Sequence, residues 1–70
     1  MSKYYVVTGY YANRDSKEIA RYLHINWARF EAAYQSHFYN EVVICDSNNK
    51  LVARFVNEAG HIREVPIDKQ

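Results

Sequence analysis

The sequence predicts an α+β domain in which one helix packs on a small antiparallel sheet, in the order β-α-β-β-β. Residues 17–35 contain no Gly or Pro and carry apolar residues at helical spacing. On both sides of this segment lie short runs rich in β-branched and aromatic residues, which turn-forming residues separate. At 70 residues we expect a single domain over positions 1–70.

The first strand is predicted over residues 3–11, where Tyr and Val dominate, and Gly9 within it indicates a bulge or bend. The helix is predicted over residues 16–35. Asp15 and Glu18 have the spacing of a capping box at its start. One stripe of apolar residues recurs every three or four positions, and through it we expect the helix to pack: Ala20, Leu23, Trp27, Phe30 and Tyr34.

Three further strands are predicted, over residues 41–46, 51–57 and 61–67. Residues 47–50 have the composition of a tight hairpin turn, because Asn tolerates the left-handed conformation. Residues 58–60 fit a type I turn closed by a Gly bulge. Pro66 cannot donate a hydrogen bond to a neighbouring strand, so the last strand is predicted at a sheet edge.

Two mismatches indicate apolar surface beyond what this fold covers. A helix over residues 16–35 would be ~30 Å long, whereas strands of six residues span ~20 Å. Either the overhang meets another subunit, or the helix breaks near residues 24–26. The strands also carry apolar residues on both faces, and one helix covers only one of them. The predicted partner-binding residues are Tyr5, Val7, Tyr10, Tyr11, Tyr39, Val43, Val52 and Arg54.

The composition disfavours several classes of function. Nine Lys and Arg against eight Asp and Glu give a formal charge of +1, so no strong field attracts nucleic acid or membranes. No apolar run approaches the ~20 residues of a membrane span, and no signal peptide follows Met1, so we expect a cytoplasmic protein. No paired Cys or His motif predicts a metal, and we expect no cofactor and no small-molecule substrate.

Catalysis has little support in the sequence. Cys45 is the single cysteine, which excludes an internal disulfide. Together with one of the three histidines it could act as a nucleophile. A small buried residue inside a strand is the better interpretation, because cysteine buries readily. We therefore expect a protein that is not an enzyme.

Residues 16–30 resemble the helix-turn-helix of bacterial and phage repressors. Ala20, Leu23, Ile25 and Phe30 match core positions of that pattern, whereas His24 stands where the family prefers Gly. The resemblance implies DNA binding, with the candidate residues Arg14, Lys17, Arg21, Asn26 and Arg29. The face that would meet DNA carries Glu31 and only Arg29 as a flanking cation, which disfavours phosphate contacts.

The leading hypothesis is a small regulatory or inhibitory protein that binds a protein partner and forms a homodimer. Seven Tyr, three Phe and one Trp make the chain 16% aromatic, and Tyr is enriched at protein interfaces. By analogy, phages and mobile elements encode such small chains to block host proteins. The alternative hypothesis is a helix-turn-helix transcriptional regulator over residues 16–35.

Overall fold

The computed structural model describes residues 3–67 and confirms the predicted α+β class, with one helix packed on an antiparallel sheet. The strands are β1 (Tyr5–Tyr10), β2 (Ser16–Tyr22), β3 (Glu41–Asp46), β4 (Leu51–Glu58) and β5 (His61–Glu64), and the helix α1 is Ile25–Gln35. All neighbouring strands are antiparallel, in the order β2-β1-β3-β4-β5. The element order is therefore β-β-α-β-β-β, with one strand more than the sequence predicted.

The additional strand is β2, and the prediction of a helix from residue 16 is wrong. Asn13 and Arg14 form the turn of a hairpin instead, in which Arg14 has a φ of 72° and the backbone N–H of Asp15 donates to Oδ1 of Asn13 at 3.1 Å. Asp15 therefore ends a turn and caps no helix. Glu18 does not reach back to a helix start, because it binds the guanidinium of Arg21 at 2.7 and 3.2 Å.

The helix begins only at Ile25, after His24, whose side chain makes no capping hydrogen bond. Its 11 residues span ~16 Å, so the predicted overhang beyond the sheet does not exist. With residues 16–22 in a strand, the first helix of a helix-turn-helix is missing, and the prediction of that motif over 16–35 is wrong.

The core lies between α1 and the central strands, and small residues of the helix form its upper layer. Ala28, Ala32 and Ser36 follow one another at a spacing of four and are fully buried. Since alanine and serine project little from the helix, the backbone of α1 can approach the sheet closely. The sheet contributes Val7, Val42, Ile44, Ala53 and Phe55.

The predicted inward stripe has the opposite orientation. Trp27, Phe30 and Tyr34 lie on the side of α1 that faces away from the sheet, and they are 61%, 71% and 58% exposed. Only these three residues of the predicted stripe lie on the helix, since Ala20 is in β2 and Leu23 precedes α1, and the direction of the stripe was predicted wrongly. The row of small residues on the other side of the helix occupies the contact with the sheet.

The turns and the last strand agree with the sequence in most respects. Asn49 has a φ of 65° in the hairpin between β3 and β4. Ala59 and Gly60 both have positive φ and join β4 to β5, as a type I′ turn requires, in place of the predicted type I turn with a bulge. Strand β5 is at an edge, as Pro66 predicted, but it ends at Glu64.

Gly9 makes no bulge, because β1 pairs regularly with β3 through it and the irregularity towards β2 falls between Val7 and Thr8. The ring of Tyr39 packs directly on Gly9. A methyl group at position 9 would lie 2.5 Å from Cδ1 of that ring.

Candidate functional site: the outer face of the helix

Five of the seven large hydrophobic residues that are exposed in the described chain lie on or beside α1. We define the outer helix face as five residues, of which Trp27, Phe30 and Tyr34 belong to the helix and the other two flank it. All five are between 58% and 71% exposed: Leu23, Trp27, Phe30, Tyr34 and Phe38. An aromatic side chain offers ~150–250 Å² of surface. At these exposures the face therefore presents ~500–700 Å², at or above the ~300–600 Å² of the largest patch on a typical monomer.

The sequence builds this face by placing apolar residues on both sides of one helix. Such a helix is normally covered on both sides. The side that faces the sheet buries Ala28 and Ala32 completely and packs Ile25 and Ala33 against the core. On the opposite side, the rings of Tyr34 and Phe38 pack edge to face with a centroid distance of 5.6 Å, and their other surfaces remain in solvent.

The charged residues of α1 flank the face and already have partners in the chain. On one flank, the guanidinium of Arg29 binds both carboxylate oxygens of Glu64 and lies 5.7 Å from the ring centre of Phe55. On the other flank, Glu31 accepts hydrogen bonds from the hydroxyl of Tyr22 at 3.0 Å and from Nε2 of Gln35 at 2.7 Å. The hydrogen bond to Glu31, together with burial, raises the pKa of Tyr22. The outer helix face is therefore an apolar surface flanked by two charged side chains, both of which are hydrogen-bonded within the chain.

The predicted partner-binding residues do not share one surface. Val7 is completely buried beneath α1. Tyr5 lies on the same side of β1 as Val7 and packs against the core. Tyr11 and Tyr39 contact each other with a centroid distance of 5.1 Å, and burial, followed by the hydrogen bond with Tyr11, raises the pKa of Tyr39.

The other predicted residues lie away from the helix. Tyr10, Val43 and Arg54 are on the opposite face of the sheet, which we call the open sheet face, and Val52 is half-buried at the bulge of β4. Val43 is only 8% exposed. The exposed apolar residues are therefore mainly on the helix, whereas the sequence predicted them on the sheet.

Arginine side chains lie over tyrosine rings at the margins of the open sheet face and make these margins polar. The guanidinium of Arg21 lies 5.3 Å from the ring centre of Tyr4, and that of Arg14 lies 5.0 Å from the ring centre of Tyr10. Between them is a shallow, open cavity of about 380 Å³. Both polar and apolar residues line it: Tyr4, Val6, Thr8, Tyr10, Glu18, Arg21, Val43, Cys45, Asp46, Ser47 and Asn49.

Glu41 anchors one end of this face. Its side chain is 7% exposed and receives hydrogen bonds from Arg54 and, at 3.0 Å, from Arg14. Burial alone would raise the pKa of this carboxyl, but the two guanidinium groups outweigh burial and lower it. The ion triad therefore joins the β1–β2 turn to the central strands.

The cavity does not bring together a catalytic pair of the kind considered from the sequence. Cys45 and Asp46 line it, but His24, His37 and His61 do not. Burial and the negative charge of Asp46 raise the pKa of the Cys45 thiol, which weakens it as a nucleophile. Within residues 3–67, no three His, Cys, Asp or Glu side chains are grouped so that they could hold a metal ion. In the same part of the chain, no helix has the length and apolar character needed to cross a membrane.

The candidate DNA-binding residues are scattered. Arg14 is in the β1–β2 turn, Lys17 and Arg21 are on the edge strand β2, and Asn26 and Arg29 are on α1. Three of the four cations are engaged by carboxylates: Arg14 by Glu41, Arg21 by Glu18 and Arg29 by Glu64. This arrangement leaves no continuous basic surface among these five residues. Comparisons of the sequence with family models and curated proteins, and with solved structures, return no match.

Proposed function

We propose that this protein is a small, non-enzymatic regulator or inhibitor that acts in the cytoplasm by binding a protein through the outer helix face. The observation that carries the proposal is the exposure of Trp27, Phe30 and Tyr34 on one side of an 11-residue helix. An inhibitor of a host protein, of the type that phages and mobile elements encode, is one form of this function.

The residue types on this face support a protein partner. Trp and Tyr are enriched among the residues that contribute most to binding between proteins. Each has two side-chain torsions to immobilise, which keeps the entropic cost low relative to the area buried. The neighbouring Arg29 and Glu31 need no rearrangement, because their hydrogen bonds remain at the flanks of the contact.

The chemistry of Cys45 supports a role in binding rather than in catalysis. A thiol with a raised pKa is protonated at neutral pH, and only the thiolate is a strong nucleophile. The shallow cavity beside it is open to solvent and is lined by both polar and apolar residues. Water is therefore not excluded from this surface as it is from most sites of covalent catalysis.

Photo-crosslinking tests the proposal directly. A photoreactive phenylalanine is placed at position 30, and separately at position 51 as a matched control, because Leu51 is an exposed apolar residue on β4. We expect one discrete crosslinked product from position 30 in cells, and none from position 51. The captured protein is then purified, and its binding should be lost with Phe30→Glu and kept with Leu51→Glu. Equal crosslinking at both positions, or none at either, would contradict the proposal.

A further inference from the structure

We infer that the outer helix face binds a second copy of this chain, so that two α1 helices pack face to face about a two-fold axis. The inference rests on the proposed function, because it assumes that this face is a protein interface. It names the partner, which the proposed function leaves open.

The spacing on the outer helix face favours a helix as the partner. Within α1, Trp27, Phe30 and Tyr34 follow one another at intervals of three and four, and Leu23 lies just before the helix. This is the alternation with which one helix packs along another, because the two spacings keep the contacts on one seam. Among the described residues, α1 is the only helix. A second copy supplies a helix with the matching seam.

The area of the face suits a pair of copies. Each chain contributes ~500–700 Å² of exposed apolar surface from side chains of which most are aromatic. Two copies would bury at most ~1,000–1,400 Å² together, which reaches the ~1,000 Å² expected of a specific interface. A two-fold contact uses the same patch on both chains, so neither chain needs a second apolar surface.

The charges permit this contact. The formal charge of the chain is +1, so two copies repel each other weakly. Arg29 is paired with Glu64, whereas Glu31 accepts hydrogen bonds from the neutral groups of Tyr22 and Gln35 and keeps its negative charge. Because Glu31 lies on a flank of the outer helix face, its charge falls at the rim of the contact and not at its centre.

Symmetry identifies the residue at the centre. Phe30 is the midpoint of Ile25–Gln35 and is the most exposed residue of the face, at 71%. If the two-fold axis passes through the middle of the helix pair, each Phe30 contacts the Phe30 of the other copy. A charged residue introduced at position 30 should then repel the identical residue of the other copy. Opposite charges at position 30 of the two copies should attract each other.

Sedimentation velocity over a dilution series of the full chain is the primary test. The fluorescence of Trp27, the single tryptophan, is followed in parallel. We expect a concentration-dependent dimer, with a blue shift of Trp27 emission and protection from acrylamide as the dimer forms. Phe30→Glu should raise the dimer Kd at least ~100-fold, and Leu51→Glu should leave it within a factor of ~2. Phe30→Leu keeps an apolar side chain and should retain most of the association.

A charge-pairing experiment keeps the inference falsifiable if one variant folds poorly. Phe30→Glu and Phe30→Lys should each be monomeric, and their equimolar mixture should associate again. A wild-type chain that stays monomeric at all concentrations, with Trp27 open to acrylamide, would overturn the inference. A dimer that survives Phe30→Glu but dissociates with Leu51→Glu would overturn it too. Neither result removes the proposed function, which fails if position 30 captures no protein or crosslinks no better than position 51.

Discussion

Replacing Phe30 by Ala should leave the folded monomer nearly as stable as the wild type, whereas replacing Ala32 by Leu should destabilise it. Phe30 is 71% exposed, so truncation removes less than a third of the contacts of a buried side chain. Full burial of Phe contributes ~1.5–3 kcal/mol, and the corresponding loss here is below ~1 kcal/mol. The higher helix propensity of Ala returns up to ~0.5 kcal/mol. The net change in unfolding free energy should therefore lie within about 0.5 kcal/mol.

Ala32 responds in the opposite way because of its position between the helix and the sheet. It is fully buried, and Oγ of Ser36 donates a hydrogen bond to its carbonyl oxygen at 2.6 Å. A leucine side chain adds three carbon atoms where the helix lies close to Val42 and Ile44. Overpacking of this kind costs ~1–3 kcal/mol. Since Ala and Leu are both good helix formers, the loss reports on packing alone.

Urea unfolding followed by far-UV circular dichroism measures both free energies. The experiment is run at protein concentrations low enough to keep the chain monomeric, since association would add stability by mass action. The midpoint and the slope m are fitted for the wild type and both variants. A loss of 3–5 kcal/mol for Phe30→Ala, as expected of a buried aromatic residue, would refute the assigned orientation of α1. Tolerance of Leu at position 32 would refute it as well.

Three other predictions follow from local geometry. Gly9→Ala should destabilise the fold by ~1–3 kcal/mol through its clash with the Tyr39 ring, and in a Tyr39→Ala background it should cost almost nothing, which a double-mutant cycle measures. Glu41→Gln should destabilise the protein by ~1.5–3 kcal/mol at pH 7, because the buried carboxylate accepts hydrogen bonds from Arg14 and Arg54. The pKa of Glu41 is lowered on folding, so its contribution is present above the ordinary value of 4.5 and is lost as the pH falls through the lower folded value. Urea titrations at several pH values should show the wild type and Glu41→Gln converging below that range, while Glu18→Gln, at an exposed pair, should differ little from the wild type at any pH. Cys45 should react with iodoacetamide at neutral pH more slowly than a cysteine in a short peptide, because burial and the Asp46 carboxylate both raise the pKa of its thiol. The reaction should be faster in the Asp46→Asn variant than in the wild type. Equal rates in the two proteins would contradict this account.

The elements that were predicted correctly are those whose own residues indicate their secondary structure. Strand β3 is a continuous apolar run, and the turn after it contains an asparagine in the left-handed conformation. Strand β2 was missed because its alternation is broken. Ala20 pairs with Val7 and Glu18 with Thr8, which leaves Ile19 as an additional residue in a bulge. A bulge shifts the apolar residues from a spacing of two towards three, and the segment then resembles the first turns of a helix.

The sequence pattern identified the helical residues of the candidate site, but we predicted that they face the sheet. The spacing of Trp27, Phe30 and Tyr34 identifies one side of the helix, but hydrophobicity alone assigns the larger residues to the core. The buried row consists of Ala28, Ala32 and Ser36. These small residues are only weakly hydrophobic, so the sequence does not mark them as the side that packs on the sheet. Which row faces inward depends on the distance between helix and sheet. That distance is a property of the tertiary structure, and no local pattern determines it.

The aromatic residues of this small chain lie mostly outside its buried core. Of the eleven aromatic residues, all of which lie in the described range 3–67, only Phe55 belongs to the buried core. The other core residues are Val, Ala and Ile, so the space between the layers is thin. A domain of this size buries only ~60% of its unfolded surface and is marginally stable by itself. Because a partner that binds only the folded chain adds stability, the aromatic residues on the outer helix face can stabilise the fold without entering its core. Under the proposed function, partner binding to the outer face of α1 would add to the stability that the packing of its inner face provides.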